Sequence, residues 1–327
     1  MDPITLNSIL IGVVVTVLSS GLTLAIAMPL VGVLVRYRAN YTPKTGAVRL
    51  DDEAGVVQST SDANLSYFGM MKRVHRVEGW SGLYKGLMPT IITSLIAVVV
   101  AAPVSLLLVG GVHHVPPHYS SVPLWVLTFG VSTIPVLLLV PMQIITNRAI
   151  TTPHKLAAFD ATTALRVLLS PAERAQPLRL YLAPGVALAL LLEALVSPTL
   201  SLLSFFAFPR LHLALVLGGV LPLLILSTAA TTPLQVMAAR LTLQRRSSGS
   251  EDTAAAAAGG VAATPMYPEQ VMTFRTDEAP YTGLLDCYRK MVEEEGWRVL
   301  YRAWWLAAVL LLFPLFTSMF TPPPVLA

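Results

Sequence analysis

Six apolar stretches, each long enough to cross a bilayer, constrain the fold of this chain more than any other feature. A helix needs about 20 apolar residues to cross roughly 30 Å of hydrocarbon. Only 12% of the 327 residues are charged, whereas a soluble domain has about 25%. The sequence therefore predicts an all-α membrane protein with six transmembrane helices. The stretches are 3–35, 86–112, 119–147, 180–209, 211–239 and 303–327, and Glu193 is the one Asp, Glu, Lys or Arg in them.

The basic residues lie almost entirely in three long loops. All but one of the 22 Lys and Arg fall in residues 36–85, 148–179 and 240–302, after the first, third and fifth stretches. By the positive-inside rule these loops face the side from which insertion begins. We interpret their charge as loop solvation and contact with anionic headgroups, and expect no nucleic-acid partner.

The order of apolar stretch, long loop and apolar stretch occurs three times, in residues 1–112, 119–208 and 211–321. Such self-similarity predicts repeated units that pack around a common axis. The first and third loops end in nearly the same letters, EGWSGLYKG at 78–86 and EGWRVLYRA at 295–303, each after an amphipathic stretch. The second loop keeps only the Leu-Tyr pair at 180–181. A tract of small residues at 247–265 is predicted to be a disordered insertion.

Each odd-numbered stretch also has a proline near its loop end and an arginine seven residues later. A proline inside a helix removes one backbone hydrogen bond and kinks the helix. Three equivalent kinks would draw the three helix ends together on the loop side. The prolines are Pro29, Pro141 and Pro233, and the arginines are Arg36, Arg148 and Arg240.

These features resemble the mitochondrial carrier family. The most specific matching letters are YTGLLD at 281–286, together with the Glu-Gly and Leu-Tyr pairs of the first and third loops. The resemblance covers nearly the whole chain. It implies six helices in three tandem repeats with pseudo-threefold symmetry, transport of a small-molecule solute, and a mitochondrial membrane, with the inner membrane favoured over the outer.

The chain departs from the family at its gates. In the family, acids and bases that follow the three prolines form a ring of ion pairs on the matrix side. Here no charged pair remains, and the ring on the opposite side has lost its acids. The acid positions hold Val31, Gln143 and Gln235, and the base positions hold Leu34, Thr146 and Ala238.

Five polar residues of the spans are candidate site residues. Gln143, Thr146, Asn147 and Gln235 either form a neutral, hydrogen-bonded gate or only join helices, because an unpaired polar group is costly at this depth. Glu193 is either a cavity residue for substrate or protons, or a structural acid that is protonated or bonded across helices.

Two segments resemble the lipid-binding elements of the family, which hold cardiolipin. Backbone amides at a helix start can bind an anionic headgroup, and a glycine lets the phosphate approach; simple helix capping is the alternative. The residues are Tyr84, Lys85 and Gly86 in the first repeat and Tyr281 and Gly283 in the third.

No pattern of an enzyme, a cofactor site or a metal site is present, so none is expected. The three histidines at 113, 114 and 118 have no Cys or carboxylate near them in sequence. Two functions remain open. One is transport of a neutral, weakly charged or amphipathic solute by alternating access, since the six stretches offer no basic residue. The other is a non-transporting adaptor that acts with protein partners in membrane fusion, morphology or protein insertion.

Overall fold

The fold is mainly helical wherever the chain is described. The computed structural model describes residues 3–44, 65–97, 99, 124–156, 160–207, 221–244, 265–267, 269–275 and 280–309. Within these ranges the only β-type pairing is an isolated antiparallel bridge between His154 and Met266. The predicted insertion at 247–264, the histidines at 113, 114 and 118, and most of the sixth apolar stretch lie outside the described residues.

Long helices occupy the first, third, fourth and fifth apolar stretches. They are α1 (Pro3–Ala39), α4 (Leu124–Thr151), α7 (Val186–Ala207) and α8 (Leu221–Leu243). The second stretch contains the shorter α3 (Leu87–Ala97), and the sixth begins with helix at 304–309. Two helical segments among the described residues are long and apolar enough to cross a membrane, Gly21–Ala39 and Thr133–Thr151.

Helices α1, α4 and α8, which occupy the first, third and fifth apolar stretches, each continue four residues beyond the stretch that predicted them. They end at Ala39, Thr151 and Leu243, where the sequence predicted ends at 35, 147 and 239. Hydropathy falls at the arginines in this added turn, yet those arginines are buried. Arg36, Arg38, Arg148 and Arg240, which the sequence placed in the loops, therefore belong to the last turns of α1, α4 and α8.

Shorter helices form the loops, as the amphipathic patterns predicted. The first loop ends in α2 (Tyr67–Leu83) and the third in α9 (Leu284–Glu294) with a 3₁₀ turn at Trp297–Tyr301. In the second loop, Pro171 and Pro177 each stand at the start of a new segment, where their missing N–H costs nothing. The segments are α5 (Ala161–Leu168), α6 (Pro171–Ala175) and a 3₁₀ turn at Pro177–Leu180.

The loop-side halves of the helices share a packed interior. Helix α7 packs against α4 and α8, α1 packs against α2, and α1, α4 and α8 all contact one another. One apolar cluster joins α4, α7, α8 and α9 with residues 299–300, and a second joins α1 and α2 with residues 271–272, 303 and 306. Polar residues near the ends of α1, α4 and α8 lie between these clusters.

Gly185 shows how closely the loops pack. It precedes α7 with a φ of +77°, and a Cβ there would lie 2.6 Å from the backbone nitrogen of Leu284 at the start of α9. A left-handed φ costs a non-glycine residue about 1–2 kcal/mol, and a backbone atom cannot move aside cheaply.

Replacing Gly185 by Ala is therefore expected to lower the free energy of unfolding by about 2 kcal/mol or more, since overpacking alone costs about 1–3 kcal/mol. Thermal unfolding of the purified protein in detergent measures the loss. Gly21→Ala is the control, because a Cβ at Gly21 meets no atom within 4 Å. Equal unfolding temperatures for the two variants would contradict this account of Gly185.

Candidate functional site

Three buried ion pairs hold the loop-side ends of α1, α4 and α8. Each arginine that follows a kink proline by seven residues pairs with an acid from the loop of its own repeat. Arg36 Nη2 lies 2.6 Å from Glu78 Oε2, and Arg148 Nη1 lies 2.7 Å from Glu173 Oε2. Arg240 pairs with Glu295. These three arginines and their partners are all buried.

The same arginines also join each repeat to the next. A helix leaves its last four carbonyls without intrahelical partners, and each arginine donates to carbonyls at the end of a neighbouring helix. The carbonyl that accepts from each Nε belongs to the neighbouring helix, two residues after that helix's own ring arginine. The contacts therefore form a closed ring from α1 to α4 to α8 and back to α1. Arg36 Nε donates to Ile150 O (2.9 Å), Arg148 Nε to Thr242 O (2.9 Å), and Arg240 Nε to Arg38 O (3.3 Å).

Glycines place two of the three acids. Gly79 and Gly296, which follow Glu78 and Glu295, have φ values of +69° and +99°, a left-handed conformation that glycine adopts without cost. The chain therefore turns directly after the acid, which stays directed at its arginine. This turn explains the Glu-Gly pairs of the two similar loop ends.

The second repeat supplies its acid differently. Glu173 belongs to a capping box at the start of α6, where Ser170 Oγ accepts from the Glu173 N–H and Glu173 Oε2 accepts from the Ser170 N–H. Burial alone would raise the pKa of Glu173, but hydrogen bonds from Arg148 and Ser170 outweigh it and lower that pKa. Sequence reasoning missed this residue because it searched for a Glu-Gly pair.

A second base completes the site in the first and third repeats. Lys85 Nζ donates to Glu78 Oε1 (2.9 Å) and to Thr152 O (2.7 Å). Arg302 occupies the equivalent place, donating to Asn40 O and Thr42 Oγ1 beside Glu295. Burial lowers the pKa of Lys85 to about 8, although Glu78 opposes this shift. The Lys or Arg of the repeated loop ends therefore serves the ion-pair ring.

Tyrosine hydroxyls satisfy backbone carbonyls near two of the three helix prolines. Pro29 cannot donate to the carbonyl four residues before it, Ala25 O, and Tyr84 Oη donates to that oxygen at 3.1 Å. Tyr181 Oη donates to Leu138 O at 2.9 Å, three residues before Pro141. Pro233 lies directly after Thr232, whose hydroxyl donates to Thr228 O within α8. The tyrosines of two Leu-Tyr pairs thus satisfy carbonyls in the helix that precedes each loop. A kink at the three prolines stays a prediction.

The predicted gate residues do not form one cluster. Asn147 is buried and its Nδ2 donates to Thr242 Oγ1 at 3.0 Å, which joins α4 to α8. Gln143 is exposed and Thr146 half-buried, and neither side chain makes a hydrogen bond to another described residue. Gln235 instead contacts Glu193, the other predicted site residue, on α7. A gating role for these residues stays a prediction.

Glu193 lies within electrostatic range of Arg38, a basic residue that sequence reasoning assigned to a loop. Glu193 Oε1 accepts a hydrogen bond of 2.5 Å from Gln235 Nε2, which joins α7 to α8. Arg38, on α1, is buried, with 6% of its surface exposed. The missed signal was the spacing of Leu34 and Arg38, which places both on one helix face.

The predicted lipid-binding residues lie just before two helices, Tyr84 to Gly86 before α3 and Tyr281 and Gly283 before α9. Gly86 has a φ of +87° and a Cβ there would lie 2.6 Å from Ile150, so its glycine is needed for helix packing. Tyr281 is buried, with Arg275 5.0 Å from its ring centre, and Gly283 precedes α9. Tyr84 and Lys85 make the contacts given above. Lipid binding at these residues stays a prediction.

Comparison with known proteins identifies one part of the chain. Residues 214–321, about the last third, match the family model described as mitochondrial carrier protein. No curated protein matches the chain. The match covers the third repeat proposed from the sequence and includes Arg240, Glu295 and Arg302. It confirms the family resemblance that the sequence motifs indicated.

The ion pair of the second repeat gives a direct stability test. Glu173→Ala leaves Arg148 buried without its acid, and breaking a buried pair costs about 3–5 kcal/mol. Glu269→Ala removes the same charge from a half-exposed pair with Arg73, which is worth about 0–1 kcal/mol. Thermal unfolding in detergent should show a large loss for the first variant only. Similar losses would refute the structural role of Glu173.

Lys85 predicts a pH dependence of stability. Its pKa is about 8 in the folded chain and 10.5 when unperturbed, so between these values the unfolded chain holds a proton that the folded chain has released. Stability must then rise with pH above 8, and below pH 8 Lys85 contributes no slope. Unfolding temperatures from pH 8 to about 9.5 should rise more steeply for the wild type than for Lys85→Met. Lys155→Met, which removes an exposed lysine, should keep the wild-type slope; a wild-type slope in Lys85→Met would contradict the assignment.

Proposed function

We propose that this chain, whose residues 214–321 match the mitochondrial carrier family model, carries a small solute across a mitochondrial membrane by alternating access. The solute is neutral overall, weakly charged or amphipathic. The three apolar-loop-apolar units form six transmembrane helices with pseudo-threefold symmetry. The threefold pattern of arginine contacts supports this architecture, because each contact recurs at the same offset in the helix of the next repeat.

The observation that carries the proposal is the hydrogen bond between Gln235 and Glu193 inside the bundle, with the buried Arg38 in electrostatic range of that acid. An intramembrane acid is expensive and is retained where it binds or couples something. Here Glu193 is only half-buried, and its Oε2 makes no hydrogen bond within the described part of the chain. A solute that reached this depth would meet a carboxylate with one oxygen available.

The loop-side ends of α1, α4 and α8 are in contact, which corresponds to closure on that side. Opening requires exchange of the bonds between repeats, which are the arginine–carbonyl bonds of the ring and the neutral Asn147–Thr242 bond. Leu34 and Ala238, at two of the base positions, are buried and apolar. We assign the gate to these contacts in place of the charged ring of the family. The pairs between Arg36, Arg148 and Arg240 and their acids lie within repeats and can persist through opening.

The setting is the inner mitochondrial membrane. Cardiolipin is the proposed lipid partner, held at the start of α9 by Tyr281 and Gly283 and near Tyr84, Lys85 and Gly86. Support comes from the family match and from the position of these residues at loop ends. The contacts of Lys85 with Glu78 and Thr152 leave backbone amides, not this side chain, as the donors for a headgroup.

One observation favours a second function, that of a non-transporting adaptor in the outer membrane. The six positions of the charged gate hold no acid or base, which suits a protein released from the need to open. Such a protein would act with protein partners in membrane fusion, morphology or protein insertion. Submitochondrial fractionation with protease protection separates the two, since an outer-membrane location would reject the transport proposal.

Glu193 provides the test of transport. Glu193→Gln is expected to abolish flux in liposomes loaded with labelled amino acids, organic acids and nucleotides, because the amide cannot carry charge or a proton. The unfolding temperature should stay near the wild-type value, since an amide oxygen can still accept from Gln235. Glu293→Gln, at an exposed loop position, is the matched control. Unchanged flux in Glu193→Gln would reject the role of this residue.

A further inference from the structure

Arg38 has an unoccupied pair of hydrogen-bond donors inside the bundle. Its Nε and Nη2 are buried and have no hydrogen-bond partner among the described residues. A buried, unpaired donor costs about 1–3 kcal/mol, and more when the group is charged. The described protein provides a neighbouring charge, Glu193, but no acceptor within hydrogen-bonding distance. This edge of Arg38 therefore has the chemistry of a binding site.

The equivalent edges of two other arginines are filled. Arg148 donates from Nε and Nη2 to the carbonyls of Thr242 and Gln244, both at 2.9 Å. Arg240 donates from the same two atoms to the carbonyls of Arg38 and Asn40. Arg36 also fills this edge, with Ile150 O and Glu78, and within the described part of the chain leaves only its Nη1 without a partner. Arg38 differs because both donors of the edge are vacant.

We propose, resting on the transport function above, that Arg38 and Glu193 bind the two ends of a small zwitterionic solute of the amino-acid class. The parallel N–H groups of Nε and Nη2 match the two oxygens of one carboxylate. The second oxygen of Glu193 accepts from the ammonium group of the same solute. Gln235 holds the first oxygen of Glu193 and is a positioning residue.

The charge balance favours a zwitterion over a plain anion. Arg38 and Glu193 together carry no net charge, so a solute with one positive and one negative group leaves the buried site neutral. A phosphate dianion would meet the carboxylate of Glu193 at close range, where like charges repel strongly in a low-dielectric interior. An amine without a carboxylate would leave the Arg38 edge unpaired.

The test uses the full-length protein in liposomes, with labelled L-alanine, L-serine and L-leucine as probes. Each amino acid is compared with its methyl ester, which keeps the amine but lacks the carboxylate. At least one amino acid should be taken up. The rate of uptake of its methyl ester should be lower by about tenfold or more, as expected for loss of a charged hydrogen bond. Arg38→Gln and Arg38→Lys should both lose this uptake, because lysine keeps the charge but not the paired donors. Arg289→Gln, an exposed arginine on α9, should transport normally.

Binding to the wild type keeps the inference testable even if the Arg38 variants fail to fold. The amino acid that is taken up should raise the unfolding temperature of the purified protein, since ligands stabilise the state that binds them, and its methyl ester should not. Equal uptake of ester and acid, or wild-type uptake by Arg38→Lys, would overturn the inference. Uptake of glycerol, choline or AMP without any amino acid would overturn it and leave the transport proposal standing. Flux of no solute of any class would overturn both.

Discussion

The ring of arginine–carbonyl contacts at the loop-side ends of α1, α4 and α8 is the constraint on which the described structure depends. Each of Arg36, Arg148 and Arg240 is neutralised by an acid from its own loop and donates to carbonyls of a neighbouring helix. Bringing three helix C-termini together exposes unpaired carbonyls to one another, and their partial negative charges repel. A guanidinium pairs these carbonyls and offsets their repulsion, because it supplies up to five hydrogen-bond donors and a positive charge.

Many local features follow from keeping that ring intact. Gly79 and Gly296 turn the chain so that Glu78 and Glu295 reach their arginines, and α6 begins with a capping box that delivers Glu173 to Arg148. Helices α1, α4 and α8 extend a full turn past their apolar stretches because Arg36, Arg148 and Arg240 in that turn are buried and paired. Closely packed glycines such as Gly185 then fix the loops against this framework. Stability and gate position are thus set by one network, while solute binding is assigned to the separate polar residues Arg38, Glu193 and Gln235.

The sequence predicted the helices well because their signals are local. Apolar length gave the long helices, amphipathic spacing gave α2 and α9, and Pro171 and Pro177 marked breaks in the second loop. It also singled out Glu193 and Gln235, since polar groups at membrane depth are rare. It missed Glu173 and misassigned Arg38, because a charged residue beyond an apolar run looks solvated until a distant partner or burial is known. Arg38 is 155 positions from Glu193, and no local pattern links the two.

By itself, the sequence determined the helical class, the family resemblance that residues 214–321 confirm, and the recurrence of proline and arginine at fixed spacing. These depend on periodicity, composition and short motifs, which act within a few turns of chain. Only the tertiary structure decided which acid serves each arginine, which carbonyls close the ring, and that Arg38 lies in the interior with two donors unoccupied. The acid–arginine pairs join distant residues of one repeat, and the carbonyl contacts join different repeats. Their energies depend on burial, which hydropathy along the chain does not report for an arginine at a helix end.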